Sequence, residues 1–284
     1  MRFITFSSDK GQGVAIRAGD FYHGCTVAEL GRDLKAALQS PDAVQDLARD
    51  LSMSPKISLD EVELLPPIPA PDKIICIGLN YRDHAEESGF EIPAYPTVFS
   101  RYANSLVAHG APLVRPNASD MLDYEAELAV IIGKSGRHIS KDKALEHVAG
   151  YSVFNDGSVR DFQMKSPQWT MGKTFDATGG FGPELVTPEE LPEGCNGLKL
   201  TMQVNGEVLQ SASTNDFIFD VATLISTLSE AMTLTPGDVI VTGTPGGVGA
   251  LRKPPIWLKP GDECVVEIEK IGKLVNPVIQ ESKA

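Results

Sequence analysis

The chain has 284 residues, 42% of them hydrophobic, enough to bury one large core with a small companion and to set aside a disordered protein. Against 25 basic side chains stand 38 acidic ones, a formal charge of −13, so most of the surface repels nucleic acid and anionic membrane and neither is an expected partner. An anionic substrate must then be drawn in by a local cluster of Arg, Lys or metal charge.

The opening MRFITFSSDKG holds no apolar stretch of the signal-peptide kind, and no run approaches the ~18 apolar residues of a membrane span, so a cytoplasmic protein is expected. Cys25, Cys76, Cys195 and Cys264 form no CxxC and read as reduced, mostly buried thiols. Residues 1–65 read as a small α+β unit: a strand from Arg2 to Phe6, a second around Val14 to Ile16, then two short helical patterns. Thr26 followed by Glu29 is a capping box, expected to open a helix that carries Leu30, Leu34 and Leu38. Four prolines from Pro66 to Pro71 forbid a helix and mark 66–73 as a linker.

From 74 to 284 the texture is strand-rich, with KIICIGL, ELAVIIG, LKLTMQV, DVIVTG and ECVVEIE bounded by Gly, Pro, Asn or Asp. Asn205-Gly206 has the residues of a tight hairpin turn. Val221, Leu224, Ile225, Leu228 and Met232 recur at helical spacing, with Asp220 placed to cap. Strands outnumber helices and do not alternate with them, which predicts an α+β, mainly β fold rather than a doubly wound parallel sheet.

Within DYEAELAVIIG, Glu125 and Glu127 stand two apart on a strand and so share a face. Like charges that close need a cation or a raised pKa. Asp156 ends another apolar stretch; three converging carboxylates would make an all-oxygen site suited to Mg²⁺, Mn²⁺ or Ca²⁺ rather than zinc. By itself the Glu-x-Glu pattern reads first as a solvated strand face, since exposed charged residues are common. The glycine-rich TGTPGGVG lacks the GK[ST] ending of a phosphate-binding loop, and nucleotide binding is not expected.

Taken in order, DYEAELAVIIG, YSVFNDGSVRDFQ, WTMGKTFDATGGFGP and GDVIVTGTPGGVG resemble the core motifs of the fumarylacetoacetate hydrolase family, with similarity running from about Ile75 to Ile268. The resemblance, nearest to bacterial acylpyruvate hydrolases, implies a mixed β-sandwich roll as catalytic domain over 74–284. Residues 1–65 resemble the small variable domain of some bacterial members. It further implies Glu125, Glu127 and Asp156 as ligands of Mg²⁺ or Mn²⁺, and Arg160, Gln163, Thr244 and Ser105 as substrate neighbours. Lys173 is implied to stabilise enolate charge or to position a metal ligand. Arg101 stands where many members have Lys followed by Pro, and its part is left open. The segment GLNYRDHAEE resembles GxNYxxH, in which His84 and Glu87 form a lid-borne dyad that takes a proton from water; Glu86 is the competing partner.

The implied activity is C–C hydrolysis of an acylpyruvate to pyruvate and a carboxylic acid, through an enolate that the metal and Lys173 stabilise. Oxaloacetate decarboxylation, or cleavage of a sugar-derived diketo acid, would use the same enolate. A 2-oxo-acid-binding module without turnover is the remaining alternative. Family members are usually homodimers, and a homodimer is expected. Aromatic residues within 90–105 and 162–181 are expected to shape specificity.

Overall fold

The computed structural model describes residues 1–87, 89 and 91–282. Strands that are apolar throughout lie where both faces are covered. Ala126–Ile132 and Val148–Asp156, buried along nearly their whole length, pair antiparallel inside a 12-stranded sheet. Along that sheet the order is Lys56–Ile57, Phe21–Thr26, Gly11–Ala18, Arg2–Ser8, Gly179–Val186, Val148–Asp156, Ala126–Ile132, Val239–Val241, Ile74–Gly78 and Thr97–Arg101, with Glu63–Leu65 also paired to Arg2–Ser8 and Leu106–Val107 to Gly179–Val186. A second, five-stranded sheet runs Glu207–Ser213, Lys199–Val204, Glu263–Ile268, Gly272–Gln280 and Leu113–Arg115. The α+β, mainly β expectation is met.

The two faces of Ala126–Ile132 have different tasks. Leu128, Val130 and Ile132 join Leu200, Met202, Val266 and Leu274 of the second sheet in the larger core. Ala129 and Ile131 point the other way, into a core with Cys76, Phe99, Phe154 and Val241. By the two-residue period of a strand, Glu125 and Glu127 belong to this second face. The carboxylates therefore stand at the end of an apolar strip, outside the core between the sheets.

Residues 1–65 build onto the same large sheet, since Arg2 and Phe3 pair with Val186 and Leu185. The proline segment carries no regular element; Pro66, Pro67 and Ile68 are buried, and Thr5 Oγ1 donates to the Pro67 carbonyl at 2.9 Å. The helix expected from Thr26 through Leu38 is instead two, Val27–Leu30 and Leu34–Ala37. The Thr26–Glu29 capping box forms, but Gly31 turns left-handed (φ 75°) and ends the first helix, and Asp33 caps a new one by accepting from Ala36 N. Leu34 and Leu38 still bury, against Leu47 and Leu51 of the helix Pro41–Ser52.

Other local expectations hold. Asn205 (φ 52°) and Gly206 (φ 81°) form a two-residue hairpin with both residues left-handed, and Asp220 caps Val221–Ala231 by accepting from Thr223 N at 2.7 Å. All four cysteines are free thiols, three of them buried. Among the described residues no helix is long and apolar enough to cross a membrane.

Candidate active site

Glu125 lies directly across the ladder from Asp156, whose N–H donates to the Glu125 carbonyl at 2.9 Å. Glu127 follows two residues on. All three carboxylates are buried, and one oxygen of each lies within 4.8 Å of the others. A solvated strand face is thereby set aside.

Cations surround the triad. Lys173 Nζ is 2.6 Å from Glu125 and 2.7 Å from Asp156. Arg160 bridges Glu125 at 2.7 Å and Asp123 at 2.8 Å, and also donates to Gln163 Oε1 at 2.9 Å. Arg101, fully buried, donates to Asp156 at 2.6 Å and to the Gly157 carbonyl and Thr178. Four carboxylates thus face three cations, which leaves one negative charge in a buried cluster.

The carboxylate left without a cation of its own is Glu127, and the buried cluster favours a proton there. Burial opposes ionisation of Glu125, but Lys173 and Arg160 outweigh it and lower its carboxyl to about 2. Burial would likewise neutralise Lys173, yet Asp156 and Glu125 hold its pKa above the ordinary value. Glu127 is pushed well above the usual carboxylate range by burial and by its neighbours Asp156 and Glu125. A dication between the three would relieve that repulsion, and an all-carboxylate donor set suits a hard ion such as Mg²⁺ or Mn²⁺. The residues fit a metal; Glu125, Glu127 and Asp156 would hold it.

The loop over the triad continues from the Val239–Val241 strand. Gly243 donates its N–H to Glu127 at 2.5 Å and has φ 100°; a Cβ there would lie 2.8 Å from that of Asn80, so only glycine fits. Asn80, from the GLNYRDH motif, is wholly buried and ties Phe219 and the Thr242 carbonyl together. Thr244 lines the cavity. Two carboxylates of the helix Arg82–Glu87 accept from the same loop, Asp83 from Gly246 N at 3.3 Å and Glu87 from Gly247 N at 2.8 Å.

His84, on that helix, is buried against the cavity, and burial lowers its pKa despite the nearby Glu125, so the imidazole is neutral. Its Nδ1 is 3.9 Å from Glu87 Oε2, too far for a hydrogen bond. Glu86 is exposed.

The cavity holds about 500 Å³. His84, Glu125, Glu127, Arg160, Gln163, Lys173 and Thr244 are its polar lining; Ile77, Leu79, Phe99, Met164, Trp169 and Leu251 are among its apolar lining. Ser105 is buried away from it, accepting from Arg101 Nε at 3.2 Å, so it holds the arginine that holds Asp156. Of the aromatic residues expected to shape specificity, Phe99 and Trp169 reach the cavity, whereas Phe162 and Phe175 pack edge-to-face on one another. Phe90 lies outside the described residues. Sequence reasoning missed Asp123: fully buried, it holds Arg160 and accepts from Gly249 N and Ala250 N. Its only signal was its place at the head of the DYEAE motif.

The family model for the C-terminal region of fumarylacetoacetate (FAA) hydrolase matches residues 73–279. The chain belongs to the fumarylacetoacetate hydrolase family. It is 43% identical over 254 residues to oxaloacetate tautomerase FAHD2A, mitochondrial, of Homo sapiens, covering 88% of this chain and 81% of that protein. The Xenopus laevis oxaloacetate tautomerase fahd2, mitochondrial, is 41% identical over 273 residues, covering 95% and 84%. Among solved structures, fumarylacetoacetate hydrolase from Exiguobacterium antarcticum superposes with a TM-score of 0.86 at 35% identity, over 99% of this chain and 100% of that one. Maleylpyruvate hydrolase from Sphingobium sp. SYK-6, in complex with manganese(II) and pyruvate, does so at 0.83 and 27% identity, with the same coverage. The fold is that of the fumarylacetoacetate hydrolase family, a family of enzymes.

Proposed function

We propose that the chain interconverts the keto and enol forms of a short 2-oxo acid, with oxaloacetate as substrate. One observation carries this reading: Glu125 and Glu127 of a buried carboxylate triad, the Lys173 ammonium that also meets Asp156, and the neutral His84 imidazole line one cavity. The names and identities of the oxaloacetate tautomerases direct the choice of substrate. Glu125, Glu127 and Asp156 would hold Mg²⁺ or Mn²⁺, which would supply Lewis acidity there. Thr244 and Arg160 hold the acid's carboxylate end, Lys173 offsets negative charge as it develops on the 2-oxo oxygen, and His84 takes the C3 proton while the 2-oxo oxygen gains one from the resulting imidazolium or from water to give the enol; the enol-to-keto direction reverses both transfers.

Hydrolysis of an acylpyruvate, the expectation from the sequence, is the second reading, supported by the likeness to maleylpyruvate hydrolase. It requires Glu87 to polarise His84, but Glu87 is engaged with Gly247 N and stands 3.9 Å from the imidazole. Enolisation asks only for the neutral His84 and therefore ranks first. The chain is further proposed to act as a homodimer. Its four free thiols suit a reducing compartment, cytoplasmic as read from the sequence or mitochondrial as printed for the vertebrate relatives.

The test follows loss of enol-oxaloacetate absorbance with Mg²⁺ or Mn²⁺, beside pyruvate release from oxaloacetate, acetylpyruvate and fumarylpyruvate, with metal-free and Glu127→Ala controls. Metal-dependent loss of the enol without pyruvate is the expected result. Pyruvate from an acylpyruvate alone would establish the hydrolase, pyruvate from oxaloacetate the decarboxylase, and silence throughout the binding module.

A further inference from the structure

The strand Glu207–Ser213 lies at the edge of the second sheet, yet one of its side chains, Gln210, bonds to Thr244, which lines the cavity. Its ladder with Lys199–Val204 is bulged: Met202 faces Gln210 while Gln203 faces Val208, which leaves Leu209 as the extra residue. The bulge breaks the alternation of faces, so Leu209 and Gln210 are both buried. Re-aimed in this way, Gln210 is 1% exposed and joins three pieces of chain. Its Oε1 accepts from Ala126 N at 2.9 Å, between Glu125 and Glu127; its Nε2 donates to Thr244 Oγ1 and to the Pro245 carbonyl, each at 2.8 Å.

A hydroxyl has one proton to give and two lone pairs to fill. The Gln210 amide fills one lone pair of Thr244, and among the described residues no acceptor takes the hydroxyl's own proton. Since Thr244 lines the cavity, that proton is available to a ligand there. A glutamine suits the place because its two amide ends have opposite polarity. One end accepts from the strand carrying the carboxylates, and the other donates to the loop.

We infer that Gln210 is a positioning residue that fixes the Thr244 hydroxyl as a donor to the substrate's carboxylate and locks the 242–249 loop onto the Glu125–Glu127 strand. This assignment rests on Thr244 meeting the carboxylate of a 2-oxo acid, as proposed above. Thr244 touches the substrate; Gln210 acts through it.

The experiment measures Mn²⁺ binding, and then oxalate binding to the Mn²⁺-loaded protein, by calorimetry, so no turnover is needed. Oxalate presents adjacent oxygens as an enolised 2-oxo acid does. The variants are Gln210→Met, Thr244→Val and the double substitution. Gln210→Met is expected to weaken oxalate about tenfold or more, the scale of a hydrogen bond to a charged group. Mn²⁺ affinity should stay within about threefold, because the ladder to Val148–Asp156 and the ion pairs still hold the carboxylates. In the Thr244→Val background the same change should cost less than about twofold.

Unchanged oxalate affinity overturns the assignment. So does a parallel loss of Mn²⁺ and oxalate, which would make Gln210 a strut of the strand, and so does an undiminished effect without the hydroxyl. A wild type that binds Mn²⁺ but no oxalate overturns the 2-oxo-acid reading itself and this assignment with it. Should Gln210→Met not fold, Gln210→Glu takes its place, since a carboxyl group lacks the two N–H bonds that span Thr244 and Pro245, and the same comparisons decide.

Discussion

Lys173 brings a full charge to a place with 2% exposure, and only its two carboxylate partners make that tolerable. Lys173→Met leaves four carboxylates facing two cations. Without metal the variant should lose about 3–5 kcal/mol of stability, and Mn²⁺ should restore more of its melting temperature than it adds to wild type. Turnover should fall by about 10²–10³ even when the metal is restored, because the donor opposite the developing charge is gone. Melts with and without Mn²⁺, beside steady-state rates, check both halves. His109 gives a cleaner pH prediction, because only burial and a backbone contact shift it and no charged group does. Burial lowers its pKa below the ordinary 6.5, the Lys273 carbonyl opposing in part, and its Nδ1 accepts from Val275 N. The unfolded chain therefore takes up the proton first as pH falls. The contribution of His109 is complete above about 6.5 and is lost below it, down toward the folded pKa. His109→Asn keeps an acceptor for Val275 and cannot titrate, so its melting temperature should fall less than that of wild type between about pH 7.5 and 5.5.

At the scale of elements, the strands, the Asn205-Gly206 hairpin and the Asp220 cap were legible because each depends on residues within a few positions. The break after Leu30 was carried by Gly31, whose left-handed turn outweighed the leucine spacing. The carboxylate triad was legible from motif order and strand period. Ser105 behind Arg101, Glu87 turned to Gly247, and Gln210 against Ala126 were not, since each contact is decided by how two distant segments meet. The loop after Val239–Val241 shows how tightly such a meeting is specified. Gly243→Ala forces a side chain into φ 100°, with its Cβ 2.8 Å from Asn80 and 3.0 Å from the Ile77 carbonyl. The expected cost is about 2–3 kcal/mol of stability. Because the Gly243 N–H meets Glu127, weaker Mn²⁺ binding should accompany it; a thermal melt and an Mn²⁺ titration on the same sample would test both.

For the whole molecule, the large sheet ends at Thr97–Arg101, a strand paired on one side only among the described residues. Around it Tyr95, Val98, Tyr102 and Met171 are exposed, an apolar edge of the kind that proteins cover. We expect the proposed homodimer to cover it. Light scattering on a sizing column should give twice the 30.5 kDa of the chain, and Val98→Lys with Tyr102→Asp should shift it toward monomer. A wild-type monomer at micromolar concentration would refute the expectation.

The seam between Arg2–Ser8 and Gly179–Val186 bears on how the protein is made. Arg2 leaves the ribosome long before its partner Val186 exists; at ~5–20 residues per second the wait is about ten to forty seconds. During that interval Arg2–Ser8 can bond to Gly11–Ala18 and Glu63–Leu65, while the backbone of Arg2 and Phe3 keeps an open edge toward the missing strand. Residues synthesised about 180 positions earlier thus wait for their partner strand, and a pause in translation before residue 186 leaves a half-built sheet open to the wrong neighbour.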